Sequence, residues 1–162
     1  MTRNYKLKSA HQVSVEEFMY KAGQEVPSTP TMPSLEIRRL RAKLILEECL
    51  ETIDALGFVA EVLIKESAMG MTEPILVQGN NKPNLVEIID GCCDIKVVTT
   101  GTLSACGLPD DPFQYEVDSN NLSKFGPGHS IREDGKLVKP PGHQPPAIQE
   151  TLEAITNEAY DD

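Results

Sequence analysis

The chain contains no tryptophan, and phenylalanine and tyrosine together make up 5% of its 162 residues. A core built from it must rely on Leu, Ile, Val, Ala and Met, which suits helix packing. No uninterrupted apolar stretch approaches membrane-spanning length, so no membrane span is expected. Excess positive charge is also missing. Fifteen Lys and Arg face twenty-five Asp and Glu, for a net charge of -10. Neither nucleic acid nor an anionic lipid surface gains from meeting such a surface, so neither is an expected partner. The four cysteines (Cys49, Cys92, Cys93, Cys106) form no C-x-x-C and have no paired His-Cys spacing. They read as buried reduced thiols rather than a zinc site. Residues Met1–Lys8 are polar and lack the apolar run of a secretory signal, which favours a cytoplasmic setting.

The length fits one domain, 1–162, with a core of about 13–146 and a terminal helix of about 147–160. Ser14 and Glu17 are spaced like a capping box opening a first helix to about Gly23. After a loop carrying Pro27, Pro30 and Pro33, Ser34 reads as an N-cap. Leu35 to about Lys65 then reads as one long helix, or as two joined near Gly57. A linker, 66–82, leads to a helix opened by Pro83 and filled by Asn84 to about Ala105, with Gly107 and Pro109 as stops. A fourth helix is expected over Asp110–Ser123 and a last one over Ala147–Tyr160. Between them, Ile131–Val138 is patterned as a small hairpin around Asp134-Gly135. The expected class is all-α, a bundle of four to five helices with a small irregular or hairpin segment near the C-terminus.

The acids of two of these helices fall where apolar residues belong. At 100° per residue, Ile37, Leu44, Ala55, Val59 and Val62 lie within about 40° of Glu48. Glu51 lies about 60° to one side. The helix from Asn84 is apolar almost all round, and Glu87, Asp90 and Asp94 share one face of it. Each helix thus points an acid pair, spaced i and i+3, toward an expected interior. Four carboxylates there cannot all stay ionised and unpaired. A hard divalent ion relieves the conflict, so Glu48, Glu51, Glu87 and Asp90 are the candidate metal ligands. A di-iron bundle would need Glu-x-x-His, and neither helix contains His. All-oxygen ligation selects Mg2+, with Mn2+ as a substitute. Glu47, at the edge of the stripe, is either a solvated acid or the group that handles a water beside the metal. Asp54 and Asp94 stand one turn on, as outer ligands or as acceptors for them.

The segments Glu48-Cys49-Leu50-Glu51 and Glu87-Ile88-Ile89-Asp90 resemble the E-x-x-E…E-x-x-D signature of the all-α nucleoside triphosphate pyrophosphohydrolases. That superfamily includes MazG, dimeric dUTPases and phosphoribosyl-ATP pyrophosphohydrolase. Further parts of the chain are similar to the MazG-like branch. They are Val15–Phe18 with Ala22-Gly23-Gln24, then Arg41–Glu48, and, toward the C-terminus, Glu116–Lys124 and Asp134–Lys139. The resemblance spans most of residues 13–146. Two features depart from it: Asp118-Ser119 stand where that branch often has His-Arg, and the linker 66–82 is long.

The resemblance implies hydrolysis of a nucleoside triphosphate between its α- and β-phosphates, giving a monophosphate and pyrophosphate, with Mg2+ held by the four acids. Lys124, Arg132, Lys136 and Lys139 concentrate in a Gly/Pro-rich stretch and supply phosphate partners, Lys124 and Lys139 foremost by resemblance. Asn121 suits a neutral contact to sugar or phosphate. Arg41, about two turns before Glu48, suits an acid or a phosphate. The resemblance also implies a homodimer or a larger homo-oligomer. The competing reading is a helical protein that binds metal or nucleotide without turnover.

Overall fold

The computed structural model describes residues 7–61, 75–125, 128–133, 135 and 137–158. Among them are five helices: α1 (Ala10–Lys21), α2 (Leu35–Ala55), α3 (Leu85–Ala105), α4 (Asp111–Ser123) and α5 (Ile148–Glu158). Two small antiparallel hairpins complete the set, β1 (Phe58–Glu61) with β2 (Ile75–Gln78), and β3 (Ser130–Ile131) with β4 (Leu137–Val138). The all-α class expected from the sequence holds, and the five helices fall within the expected four to five. The chain forms two compact units, one of residues Met32–Ala105 and one of Met1–Thr31 with Cys106–Asp162.

In the first unit α2 and α3 pack along each other. Ser34 caps α2, its hydroxyl accepting from the Ile37 N–H at 3.2 Å. Asn84 does the same for α3 through the Val86 N–H at 3.0 Å. The helix expected to run past Gly57 does not. Gly57 adopts φ +88°, a left-handed turn open to glycine, and Phe58 onward is strand. Val59 therefore pairs with Val77 in a hairpin instead of extending the helical stripe, and Val62 with the rest of that expected helix lies outside the described residues.

The segment following β2 is stapled back onto the end of α2. The Gly79 N–H donates to the Gly57 carbonyl at 2.8 Å, and the Asn84 N–H donates to the Ala55 carbonyl at 3.0 Å. A Cβ on Gly57 would sit 3.1 Å from Pro83 Cγ, so the turn is tight as well as left-handed.

In the second unit, α1 begins five residues earlier than its sequence pattern suggests. Ser9, not Ser14, is the cap: its hydroxyl accepts from the Gln12 N–H at 3.0 Å. A distant acid decides this. Asp110 accepts from both the Ser9 N–H, at 2.8 Å, and the Ser9 hydroxyl, which fixes the start of the helix. Gln12, fully buried, bridges to the same corner by donating to the Leu108 carbonyl at 2.8 Å and accepting from the Asp110 N–H at 2.8 Å. Ser14 instead donates back to the Ala10 carbonyl. The predicted C-terminal hairpin forms over Ser130–Ile131 and Leu137–Val138, while Asp134 of its expected turn is outside the described residues. Tyr160, the expected end of the last helix, is outside them too. No helix among the described residues is long and apolar enough to cross a membrane.

Candidate active site

The two acid-bearing helices approach closely where a glycine meets a threonine. A Cβ on Gly91 of α3 would lie 3.1 Å from Thr52 Cβ and 3.3 Å from Thr52 Cα of α2, and closer still to the hydroxyl. Buried Thr52 turns that hydroxyl back to the Glu48 carbonyl at 2.7 Å. Glu48 and Glu51 precede this contact on α2, and Glu87 and Asp90 precede it on α3.

A cleft of about 450 Å³ opens there, between α2 and α3, lined by Glu51, Asp54, Glu87, Asp90 and Asp94 with Leu50, Ala55 and Gly91. No lysine or arginine is among these lining residues. Glu48 stands at its side, and its carboxyl is pushed above the usual glutamate range. Partial removal from water is the largest cause; the negative charges of Asp94, Glu51, Glu47 and Asp90 follow. Acids from both helices therefore act on one another electrostatically. Glu51 of α2 and Glu87 and Asp90 of α3 thus line one cleft, with Glu48 beside it.

The depth of the site differs from the expectation. Glu51, Glu87 and Asp90 are exposed and Glu48 is half-buried in the single chain. The expected burial of α3 on most sides holds only for its C-terminal half, where Val98, Thr100, Gly101, Ser104 and Ala105 are covered. Its N-terminal half is bare, with Leu85 72%, Val86 71% and Ile89 57% exposed. One short unit lacks the chain to wrap a 21-residue helix on all sides. For the same reason Cys92 and Cys93 are exposed rather than buried, although all four cysteines are free thiols.

The donor chemistry of the cleft fits a hard divalent cation: oxygen ligands, uncompensated negative charge and an opening to solvent. Among the described residues no three His, Cys, Asp or Glu side chains already converge at coordination distance.

The other sequence-selected residues fall in different places. Glu47 is exposed on α2 and pairs with Lys43 at 3.4 Å, one turn earlier. Arg41 is buried in α2 and does not line the cleft. Asn121 and Lys124 meet at the end of α4, where the lysine donates to the amide oxygen at 2.6 Å. Lys139 is exposed just after β4, and Lys136 lies outside the described residues. Sequence reasoning missed Gly91 and Asn81. A glycine in the middle of an apolar helix is the signal that points to Gly91.

With this geometry in view, the family model for phosphoribosyl-ATP pyrophosphohydrolase matches residues 15–121, well over half of the chain. The chain belongs to this family. It is a pyrophosphohydrolase of the MazG-like all-α superfamily, a hydrolase acting on phosphoric anhydride bonds. No individual curated protein matches it. The matched segment contains both acid pairs, the later part of α1 from Val15, and most of α4, including Asn121. It ends before Lys124 and Lys139.

Proposed function

We propose that the protein is a Mg2+-dependent nucleoside triphosphate pyrophosphohydrolase that cleaves between the α- and β-phosphates, releasing a nucleoside monophosphate and pyrophosphate. The observation that carries this reading is the cleft between α2 and α3, lined by Glu51, Glu87 and Asp90 with no basic residue, whose acids press on Glu48 beside it. An acidic cleft repels a triphosphate by itself, so a family member that hydrolyses nucleotides through it needs a cation between the two.

In this reading Glu48, Glu51, Glu87 and Asp90 hold Mg2+. The bound ion supplies charge neutralisation for the triphosphate and lowers the pKa of water. Glu47 stands outside the ligand set and accepts the proton of the water that attacks the α-phosphorus. The bond from that phosphorus to the bridging oxygen breaks, and pyrophosphate leaves in line with the attack. Lys124 and Lys139 offer the charge, and Asn121 the neutral polar contact, that a nucleotide requires.

The bare apolar half of α3 supports a second part of the proposal: two copies of the chain associate through it. Leu85, Val86 and Ile89 are joined on α2 by Leu46, 55% exposed, and Leu50, 41% exposed. Apolar surface gathered on two adjacent helices is more than a monomer scatters singly.

A panel of dNTPs, NTPs and phosphoribosyl-ATP, with and without Mg2+ and assayed for pyrophosphate, tests the activity. Pyrophosphate release from at least one nucleotide, dependent on Mg2+, is expected. No release from any, together with no heat of Mg2+ binding, overturns the reading. Light scattering tests the assembly, which fails if the mass is that of one 17.8 kDa chain.

A further inference from the structure

We propose that Asn81 is a positioning residue for the reaction, acting through Asp54, and that together they set the affinity of the cleft for its cation. This rests on the reading of the cleft as a Mg2+ site. Asp54 is exposed at the C-terminal end of α2, a turn beyond Glu51, and lines the cleft with the other acids. The negative end of the helix dipole and the neighbouring carboxylates both work against a negative charge at that position. Left alone, this side chain would turn outward into water.

Asn81 prevents that. Its side-chain amide nitrogen donates to both oxygens of the Asp54 carboxylate, at 3.0 Å and 2.8 Å. The opposite placement of the amide would set its oxygen against the carboxylate, so the donor assignment follows from chemistry. An amide orients the carboxylate without neutralising it. Each oxygen also keeps lone-pair capacity for a cation or a cation-bound water. A lysine here would hold the acid equally well but cancel the charge that the cation needs.

The backbone around Asn81 makes the contact firm. Two residues earlier, the Gly79 N–H donates to the Gly57 carbonyl at 2.8 Å, and three residues later the Asn84 N–H donates to the Ala55 carbonyl at 3.0 Å. The Asn81 carbonyl itself lies against Gly57, 3.3 Å from where a Cβ would be. The segment 79–84 is therefore pinned to the end of α2 on both sides of Asn81. It then leads into Asn84, the cap of α3, a turn before Glu87. The same bracket that sets the start of the second acid helix thus delivers the residue that aims the last acid of the first.

The experiment measures Mn2+ binding to the full chain without nucleotide, by the loss of the free-ion paramagnetic resonance signal. It compares wild type, Asn81→Ala, Asp54→Ala and the double variant. Asn81→Ala is expected to weaken Mn2+ binding about 10-fold, the usual loss when a group that orients a metal-site carboxylate is removed. Its metal-free melting temperature should move by no more than about 3 °C. In the Asp54→Ala background, Asn81→Ala should have no further effect, because its action runs through that acid. Equal Mn2+ affinity in wild type and Asn81→Ala overturns the role of Asn81 and leaves the metal site standing. So does a second, independent loss in the double variant. A wild-type chain that binds no Mn2+ overturns the metal reading and this proposal together.

Discussion

Gly91 of α3 faces Thr52 of α2 with no room for a side chain between them. The spacing of the acid pairs depends on that contact, since Glu48 and Glu51 precede Thr52 and Glu87 and Asp90 precede Gly91 within about one turn. Gly91→Ala gains about 1 kcal/mol of helix propensity and loses about 1–3 kcal/mol to overpacking. The expected net is a loss of about 1 kcal/mol, a fall in melting temperature of about 2–4 °C, and weaker Mn2+ binding as the helices separate. Thr52→Ala in the same chain returns space and should recover much of the binding. Calorimetry and Mn2+ titration of the single and double variants check this. Unchanged Mn2+ affinity in Gly91→Ala would mean that the close approach does not set the site.

Partial removal from water, and then the neighbouring acids, push the Glu48 carboxyl above the usual glutamate range. Glu48→Gln keeps its shape and removes its charge. Without metal, the variant is expected to be at least as stable as wild type, because repulsion from Asp94, Glu51, Glu47 and Asp90 is relieved. With metal the order reverses. Removal of an outer partner costs about 10–100-fold in metal affinity, and removal of a direct ligand should exceed that. Denaturation midpoints in chelator and in saturating Mg2+ separate the two effects. A variant that is destabilised in chelator contradicts the crowded-acid account.

The same crowding fixes the sign of a pH effect. In the folded, metal-free chain the Glu48 carboxyl holds its proton to a higher pH than it does when unfolded. Its contribution to stability is then fully present below the unfolded-state value and is lost as pH rises through the folded-state value. In chelator, this group should make the protein more stable as pH falls from about 7 toward the ordinary glutamate range near 4.3. Cation binding runs the other way, since protons compete for the same oxygen. Urea midpoints across that window, with and without Mg2+, should therefore converge as pH falls. Wild type and Glu48→Gln showing identical pH profiles would remove Glu48 as the source.

The helical period made the facing acids legible, because an acid in an apolar stripe is an anomaly at any resolution. The cap at Ser34 and the stops around Gly107 were equally local, whereas Asn84, expected inside α3, is its cap. What escaped the sequence was decided at a distance. Ser9 rather than Ser14 caps α1 because Asp110, 101 positions away, grips it. Val59 satisfies a helical stripe and a strand equally well, and the left-handed turn at Gly57 decides for the strand. The depth of the acids was not legible, because a helix that is apolar all round does not say whether its own chain or a second copy covers it, and in the single chain the N-terminal half of α3 is bare. Asn81, in a stretch patterned as a loop, carried no periodic signal that could tie it to Asp54.

Glu47 offers the sharpest division between binding and chemistry. It adjoins Glu48 in sequence yet is exposed, and Lys43 holds it at 3.4 Å on the outer part of the helix. If it takes the proton of the attacking water, Glu47→Gln should lower kcat by about 10²–10⁴-fold. Mn2+ affinity should stay within a few-fold of wild type. Lys43→Ala should change stability by less than about 0.5 kcal/mol, because an exposed i, i+4 pair contributes no more than that. Its effect on kcat should be small, because the pair is solvent-exposed. Loss of Mn2+ binding in Glu47→Gln, in step with the loss of turnover, would instead make Glu47 a ligand. The water-handling role would then pass to another acid of the cleft, with Asp94 next in line because it lines the same wall as Asp90.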